Sequence, residues 1–158
     1  MGVFNRVEKW LFPYMENVHT IHALQQLDLD ALIKAIWPYE ALAEIEKQDP
    51  EFYQTPSGKR LKLNYQVGQL PKVSVVLQEV FGELTSPKLA WGQVNMSFEL
   101  LSPAQRPIQV TSDLENFWLS SYFDIAKEMK GRYPKHRWPE QPLLETAGRS
   151  IKCKQRHL

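Results

Sequence analysis

The residues best suited to chemistry lie near the C-terminus, where Lys127-Glu128-Met129-Lys130-Gly131-Arg132-Tyr133-Pro134-Lys135-His136-Arg137-Trp138 interleaves cations with rings. Lys127, Lys130, Arg132, Lys135 and Arg137 can neutralise phosphates, while Tyr133, His136 and Trp138 can stack on unpaired bases, as a single-stranded RNA contact requires. The same residues fit a second role, in which Tyr133 and Trp138 anchor the chain to its core and the cations face water. The residue types leave both open. Arg60 and Arg106 are outlying cations that would extend the RNA surface.

Other chemistry is thinner. His19 and His22 share a helical face near Glu16, but two imidazoles make an incomplete metal-ligand set, and exposed or capping histidines explain them as well. Asp28 and Asp30 can be read as an acid–base pair, or as helix-start residues at the positive end of a helix dipole. Cys153, the single cysteine, excludes an internal disulfide and any multi-cysteine zinc site, which suits a reducing cytosol. The sequence contains no Gly-rich phosphate loop ending in Gly-Lys-Ser/Thr, no dinucleotide fingerprint, no HExxH helix and no Gly-x-Ser-x-Gly turn. By this reading the chain holds no catalytic residue, metal or cofactor of its own.

Charge separates along the chain. Residues 1–125 carry ten Lys or Arg against fifteen Asp or Glu, whereas residues 126–158 carry nine against three. The basic end is the part expected to meet phosphate. No apolar run approaches the roughly 18–20 residues of a membrane helix, and the N-terminus lacks an apolar signal core, so a cytoplasmic protein without a membrane partner is expected.

The elements that would position these groups follow from periodicity. Helices are expected over Val3–Met15, His19–Ile36 with a restart at Asp28, and Tyr39–Lys47 after Pro38. A strand, turn and strand follow over Phe52–Thr55, Pro56-Ser57-Gly58 and Lys59–Tyr65, the last alternating Leu61, Leu63 and Tyr65 with polar residues. Val73–Phe81 is expected as a short helix ended by Gly82, Gln93–Leu101 as a strand and Pro107–Thr111 as an edge strand. Thr111-Ser112-Asp113 caps a helix from Leu114 to Lys130, whose apolar face is Leu114, Phe117, Trp118, Tyr122, Ile125 and Met129. The class is α+β: N-terminal helices, then a small, mostly antiparallel sheet packed with helices. The expected division is a helical segment 1–48, an α+β domain 49–144 and a flexible basic tail 145–158.

A long motif run adds a resemblance. Leu100-Leu101-Ser102-Pro103-Ala104-Gln105-Arg106-Pro107-Ile108-Gln109-Val110-Thr111, Asp113-Leu114, Phe117-Trp118, Lys127 to His136 and Trp138-Pro139-Glu140 are similar to the C-terminal signature of HrpB-type helicases. Pro56-Ser57-Gly58-Lys59-Arg60 with Leu63 and Tyr65, Leu77-Gln78-Glu79 with Phe81-Gly82, and the helical stretch Leu27 to Leu42 resemble upstream family segments. The resemblance covers roughly residues 10–142, and two positions depart from it: Ala126, where the family carries arginine, and Gln141, where it carries aspartate. It implies ATP-driven work on RNA for a complete protein, with ATP and Mg²⁺ held by two motor domains that this sequence does not contain. For this chain it implies an accessory domain that contacts single-stranded RNA beside the motor, or one that docks on the motor without touching RNA. Either way, the purified chain is expected to turn over no nucleotide. A phosphate-release assay with ATP, with and without RNA, checks this, and sustained turnover would refute it.

Overall fold

The computed structural model describes Lys9 and residues 11–149. The chain forms two compact units, residues 1–47 and 48–158. In the first, a short 3₁₀ turn at Phe12–Tyr14 precedes α1 (Ile21–Gln25), α2 (Leu29–Ile36) and α3 (Tyr39–Gln48), whose last residue begins the second unit. Thr20 Oγ1 accepts the Ala23 N–H at 3.1 Å and Asp28 Oδ1 accepts the Ala31 N–H at 3.0 Å, which fixes both helix starts. Asp28 is thus an N-cap, and Asp30 pairs with Lys34 at 2.6 Å one helical turn away. Trp37 is extended, as a residue preceding proline must be, and so divides α2 from α3. The expected helix over Val3–Met15 lies largely outside the described residues, and Phe12–Tyr14 forms only the 3₁₀ turn. No described residue from 11 to 47 is fully buried.

The second unit holds the core. β1 (Phe52–Gln54) and β2 (Arg60–Lys62) form an antiparallel hairpin around Pro56-Ser57-Gly58, with Gly58 at a φ of 86°. β3 (Lys72–Val76), β6 (Ser97–Leu101) and β7 (Pro107–Thr111) make a three-stranded sheet in the order β3-β6-β7, in which β6 runs parallel to β3 and antiparallel to β7. β7 is one edge of that sheet and opens on Pro107. β4 (Lys88–Leu89) and β5 (Val94–Asn95) form a small hairpin, and α4 (Leu114–Leu119) and α5 (Tyr122–Arg132) end the regular structure.

The strand expected over Lys59–Tyr65 is limited to Arg60–Lys62, with Tyr65 exposed, and three further expected elements differ. Val73–Phe81 is not a helix: Lys72–Val76 is strand β3, and Leu77–Val80 is a buried 3₁₀ turn. The three β-branched valines in Val73-Ser74-Val75-Val76 favour the pleat, and β6 supplies a full register of partners. The strand expected over Gln93–Leu101 divides at Met96, because β5 pairs with β4 while β6 pairs with β3 and β7. The helix expected over Leu114–Lys130 divides at Ser120-Ser121. The Ser120 hydroxyl donates to the Asn116 carbonyl at 2.6 Å, the kind of local bond by which serine competes with helix continuation. Gly131, expected as the stop, lies within the last turn of α5.

The apolar face nevertheless packs as its spacing requires. Leu114, Phe117, Trp118, Tyr122 and Met129 are buried with Phe81, Phe98 and Leu100. Phe117, Trp118, Tyr122 and Phe81 form mostly edge-on contacts, with ring centroids 5.0–6.4 Å apart. Both polar aromatic atoms are satisfied: Trp118 Nε1 donates to the Glu83 carbonyl at 2.7 Å and the Tyr122 hydroxyl to the Pro139 carbonyl at 2.8 Å.

Of the expected flexible tail, residues 145–149 make contacts with the domain, and residues 150–158 lie outside the described residues. The Gly148 N–H donates to the Gln78 carbonyl at 2.8 Å, and Arg149 Nε meets Glu79 Oε1 at 2.9 Å. Glu79, with a side chain only 7% exposed, also accepts from the Ser57 hydroxyl and from Lys59. Burial alone would push its carboxyl up, but the Ser57 hydroxyl, Lys59 and Arg149 outweigh burial and hold it below the usual value of 4.5. A carboxylate depressed in the folded state stabilises the fold above its unfolded pKa, and that contribution is lost as pH falls through the lower folded value. Urea unfolding at a series of pH values is therefore expected to show stability declining below about pH 4.5, with Glu79→Gln flattening part of that decline.

Candidate nucleic-acid interface

α5 positions most of the basic stretch, and helical rotation of roughly 100° per residue decides where each side chain goes. Tyr122, Ala126 and Met129 face the core, with Ile125 and Tyr133 packed beside them. Ala126, one of the two positions noted above as departing from the resemblance, is on the buried side of the helix. Glu128 and Arg132 leave by one flank, paired at 2.9 Å across one turn. By the same rotation Lys127 and Lys130 leave by the other, together with Phe123. The linear run of cations is therefore two surfaces.

The Arg132 flank borders a cleft of about 420 Å³ between the β6–β7 turn and the end of α5. Arg106 lines it from the turn, Glu128, Arg132 and Tyr133 from the helix, and Ser102 from beneath. The turn is tight: Ser102 N–H donates to the Arg106 carbonyl at 2.8 Å, Ser102 Oγ accepts the Arg106 N–H at 3.1 Å, and Gln105 adopts a φ of 61°. Two guanidiniums, a half-buried phenol ring, a hydroxyl and a carboxylate thus share one concave site. That set offers phosphate donors, a stacking face and hydrogen-bond acceptors, with one net positive charge from its two arginines and Glu128.

Two of the residues singled out by sequence belong to the scaffold. Trp138 is only 9% exposed, and its Nε1 donates to the Tyr133 carbonyl at 3.0 Å, so it has no free face for a base. Arg137 Nη1 donates to Glu145 Oε2 at 2.8 Å, and Nη2 donates to the Thr146 and Gly148 carbonyls at 2.8 and 3.0 Å. It pins the segment that follows and is not a free phosphate ligand. His136 meets Tyr133 edge-on at 6.2 Å. Lys135 is exposed, and neither it nor Lys127, Lys130 or Arg106 pairs with a carboxylate among the described residues. Arg60 lies over the Phe52 ring at 4.6 Å in the β1–β2 hairpin and does not line the cleft.

Sequence reasoning missed Ser102 and Glu128 as cleft residues. Both stand in the family-like motif runs, but their convergence needs the β6–β7 turn to meet α5 in space. His19 and His22 are exposed, and no group of three or more His, Cys, Asp or Glu that would hold a metal occurs among the described residues. Cys153 lies outside the described residues. Among the described residues no helix is long and apolar enough to cross a membrane.

Known proteins place these features in a family setting. Residues 10–142 match the family described as ATP-dependent helicase C-terminal, HrpB_C. The chain is 42% identical over 146 residues to the ATP-dependent RNA helicase HrpB of Escherichia coli strain K12, covering 92% of this chain and 18% of that protein. It is similar to the crystal structure of the E. coli DExH-box NTPase HrpB, with a TM-score of 0.79 and 40% identity over 92% of this chain and 18% of that one. A second crystal structure, of the Escherichia coli DEAH/RHA helicase HrpB, gives 0.62 and 39% over 84% and 17%. The chain thus spans about a fifth of the length of the relatives it matches.

The scaffold role of Arg137 carries its own test. Arg137→Ala deletes three charge-assisted hydrogen bonds and is expected to cost about 2 kcal/mol in urea unfolding. Limited proteolysis is expected to cut earliest in residues 143–149, whereas a variant as resistant as the parent would return Arg137 to the surface.

Proposed function

The chain belongs to the HrpB C-terminal family of ATP-dependent helicases, and we propose that its part there is to hold single-stranded RNA beside the motor domains. The observation that carries this reading is the meeting of Arg106, Arg132 and Tyr133 over one cleft. Those three side chains come from two motif runs separated in sequence, the one around Ser102–Thr111 and the one around Lys127–His136. The arginines clamp a phosphate, which planar guanidiniums do bidentately, and the phenol ring offers a face to an unpaired base. ATP and Mg²⁺ belong to the motor domains, and this chain contributes surface contact alone.

A second reading has specific support. Trp138 and Arg137, two of the side chains that best suited RNA, are occupied within the domain. That favours a domain that docks on the helicase core without touching RNA. Titration separates the two. A labelled single-stranded RNA is added to the parent chain and to the double variant Arg106→Gln, Arg132→Gln at several salt concentrations. The double variant is expected to bind more weakly, and the slope of log affinity against log salt is expected to shrink by about 1.4, at roughly 0.7 for each phosphate no longer neutralised. Absence of binding by the parent at low salt would leave the docking role, whereas identical binding by parent and variant would move the RNA contact away from this cleft.

A further inference from the structure

We infer that the opposite flank of α5 carries a second contact for unpaired nucleotides, in which the Phe123 ring stacks on a base and Lys127 and Lys130 hold the adjoining phosphates. This rests on the nucleic-acid reading for its ligand class, but on separate residues for its site. Three observations point to it. The first is exposure: Phe123 is 52% exposed, Trp91 and Tyr65 are also exposed elsewhere in the unit, and of these rings it is the one carried on α5 with the lysines. The second is spacing. Phe123, Lys127 and Lys130 stand at i, i+4 and i+7 of one helix, so they line a single stripe within about 11 Å of helix axis.

The third is charge. Lys127 and Lys130 have no carboxylate partner among the described residues, while Glu128 is engaged by Arg132 on the other flank. Asp124 is an exposed neighbour, set between the two flanks by the same rotation. An apolar ring beside two unpaired ammoniums suits a ligand with a flat face and an anionic backbone, which is how single-stranded nucleic acid is bound without sequence preference. A protein occupant would have to match the ring and bring its own acidic groups. The ring has one anchored neighbour: the buried Tyr122 meets Phe123 edge-on at 5.7 Å, and the Tyr122 hydroxyl is itself tied to the Pro139 carbonyl.

The test uses the full chain carrying Arg106→Gln and Arg132→Gln, so that the cleft contributes nothing. Two probes are titrated, an oligouridylate and an abasic strand of the same length and charge. Phe123→Ala is expected to weaken oligouridylate binding about tenfold and leave both the salt slope and abasic binding unchanged, since stacking releases no counterions. Phe123→Trp is expected to restore it. Lys127→Gln with Lys130→Gln is expected to lower the salt slope by about 1.4 for both strands. Phe123 is exposed, so thermal melts should show these variants folded like their parent. The inference is overturned if the cleft-deficient parent binds neither strand, even where the unmodified chain binds RNA through the cleft. It is equally overturned if Phe123→Ala weakens both strands alike. Oligouridylate binding that all of these variants leave unchanged would also overturn it.

Discussion

The aromatic cluster of Phe81, Phe117, Trp118 and Tyr122 is the constraint on which the exposed faces of α5 depend. It joins the end of the buried 3₁₀ turn to the helix pair, and each edge-on contact adds roughly 0.5–1.5 kcal/mol to the burial of large apolar area. Two hydrogen bonds, from Trp118 to the Glu83 carbonyl and from Tyr122 to the Pro139 carbonyl, give the cluster a direction as well as a location. Together they set the rotation of α5 about its own axis. Every exposed side chain on that helix inherits its flank from this setting, so the cluster decides which cations meet the cleft and which meet open solvent.

Much of this architecture was legible from residue spacing. The hairpin around Pro56-Ser57-Gly58 follows its pattern, as do the expected face Val94, Met96, Phe98 and Leu100, with Val94 only half-buried, and the face from Leu114 to Met129, with Ile125 half-buried. Strand β3 was not, because a run as short and apolar as Val73–Phe81 fits either period. Its β6 partner, which decides the matter, lies more than twenty residues away. The site was legible only in composition. A linear run of cations and rings cannot reveal that a helix parts Lys127 and Lys130 from Arg132, nor that Trp138 turns inward to the Tyr133 carbonyl. Phe123 escaped notice because it stands before the basic run, and only the helix brings it alongside the lysines.

The charge of the C-terminal third is likewise not all surface charge. Arg137 and Arg149 spend their guanidiniums on the segment that ends the described structure, one holding Glu145 and two carbonyls, the other reaching Glu79. Trp138 helps in a different way, because its bond to the Tyr133 carbonyl fixes the backbone from which the cleft's ring projects. The basic–aromatic run therefore combines scaffold and surface: buried members hold exposed members at set positions, as a preorganised binding face requires.

The sheet margin at β7 has a bearing on what can cover this face. An unpaired edge strand ordinarily templates another chain through its main-chain donors and acceptors. Here that strand is five residues long and begins with an imino acid, so a donor is missing beside the cleft. The Arg106 amide just before it is already engaged by Ser102 Oγ. An extended peptide would find little to zip onto at that corner. What that corner offers instead is side chains, two guanidiniums and a phenol ring, in place of main-chain donors.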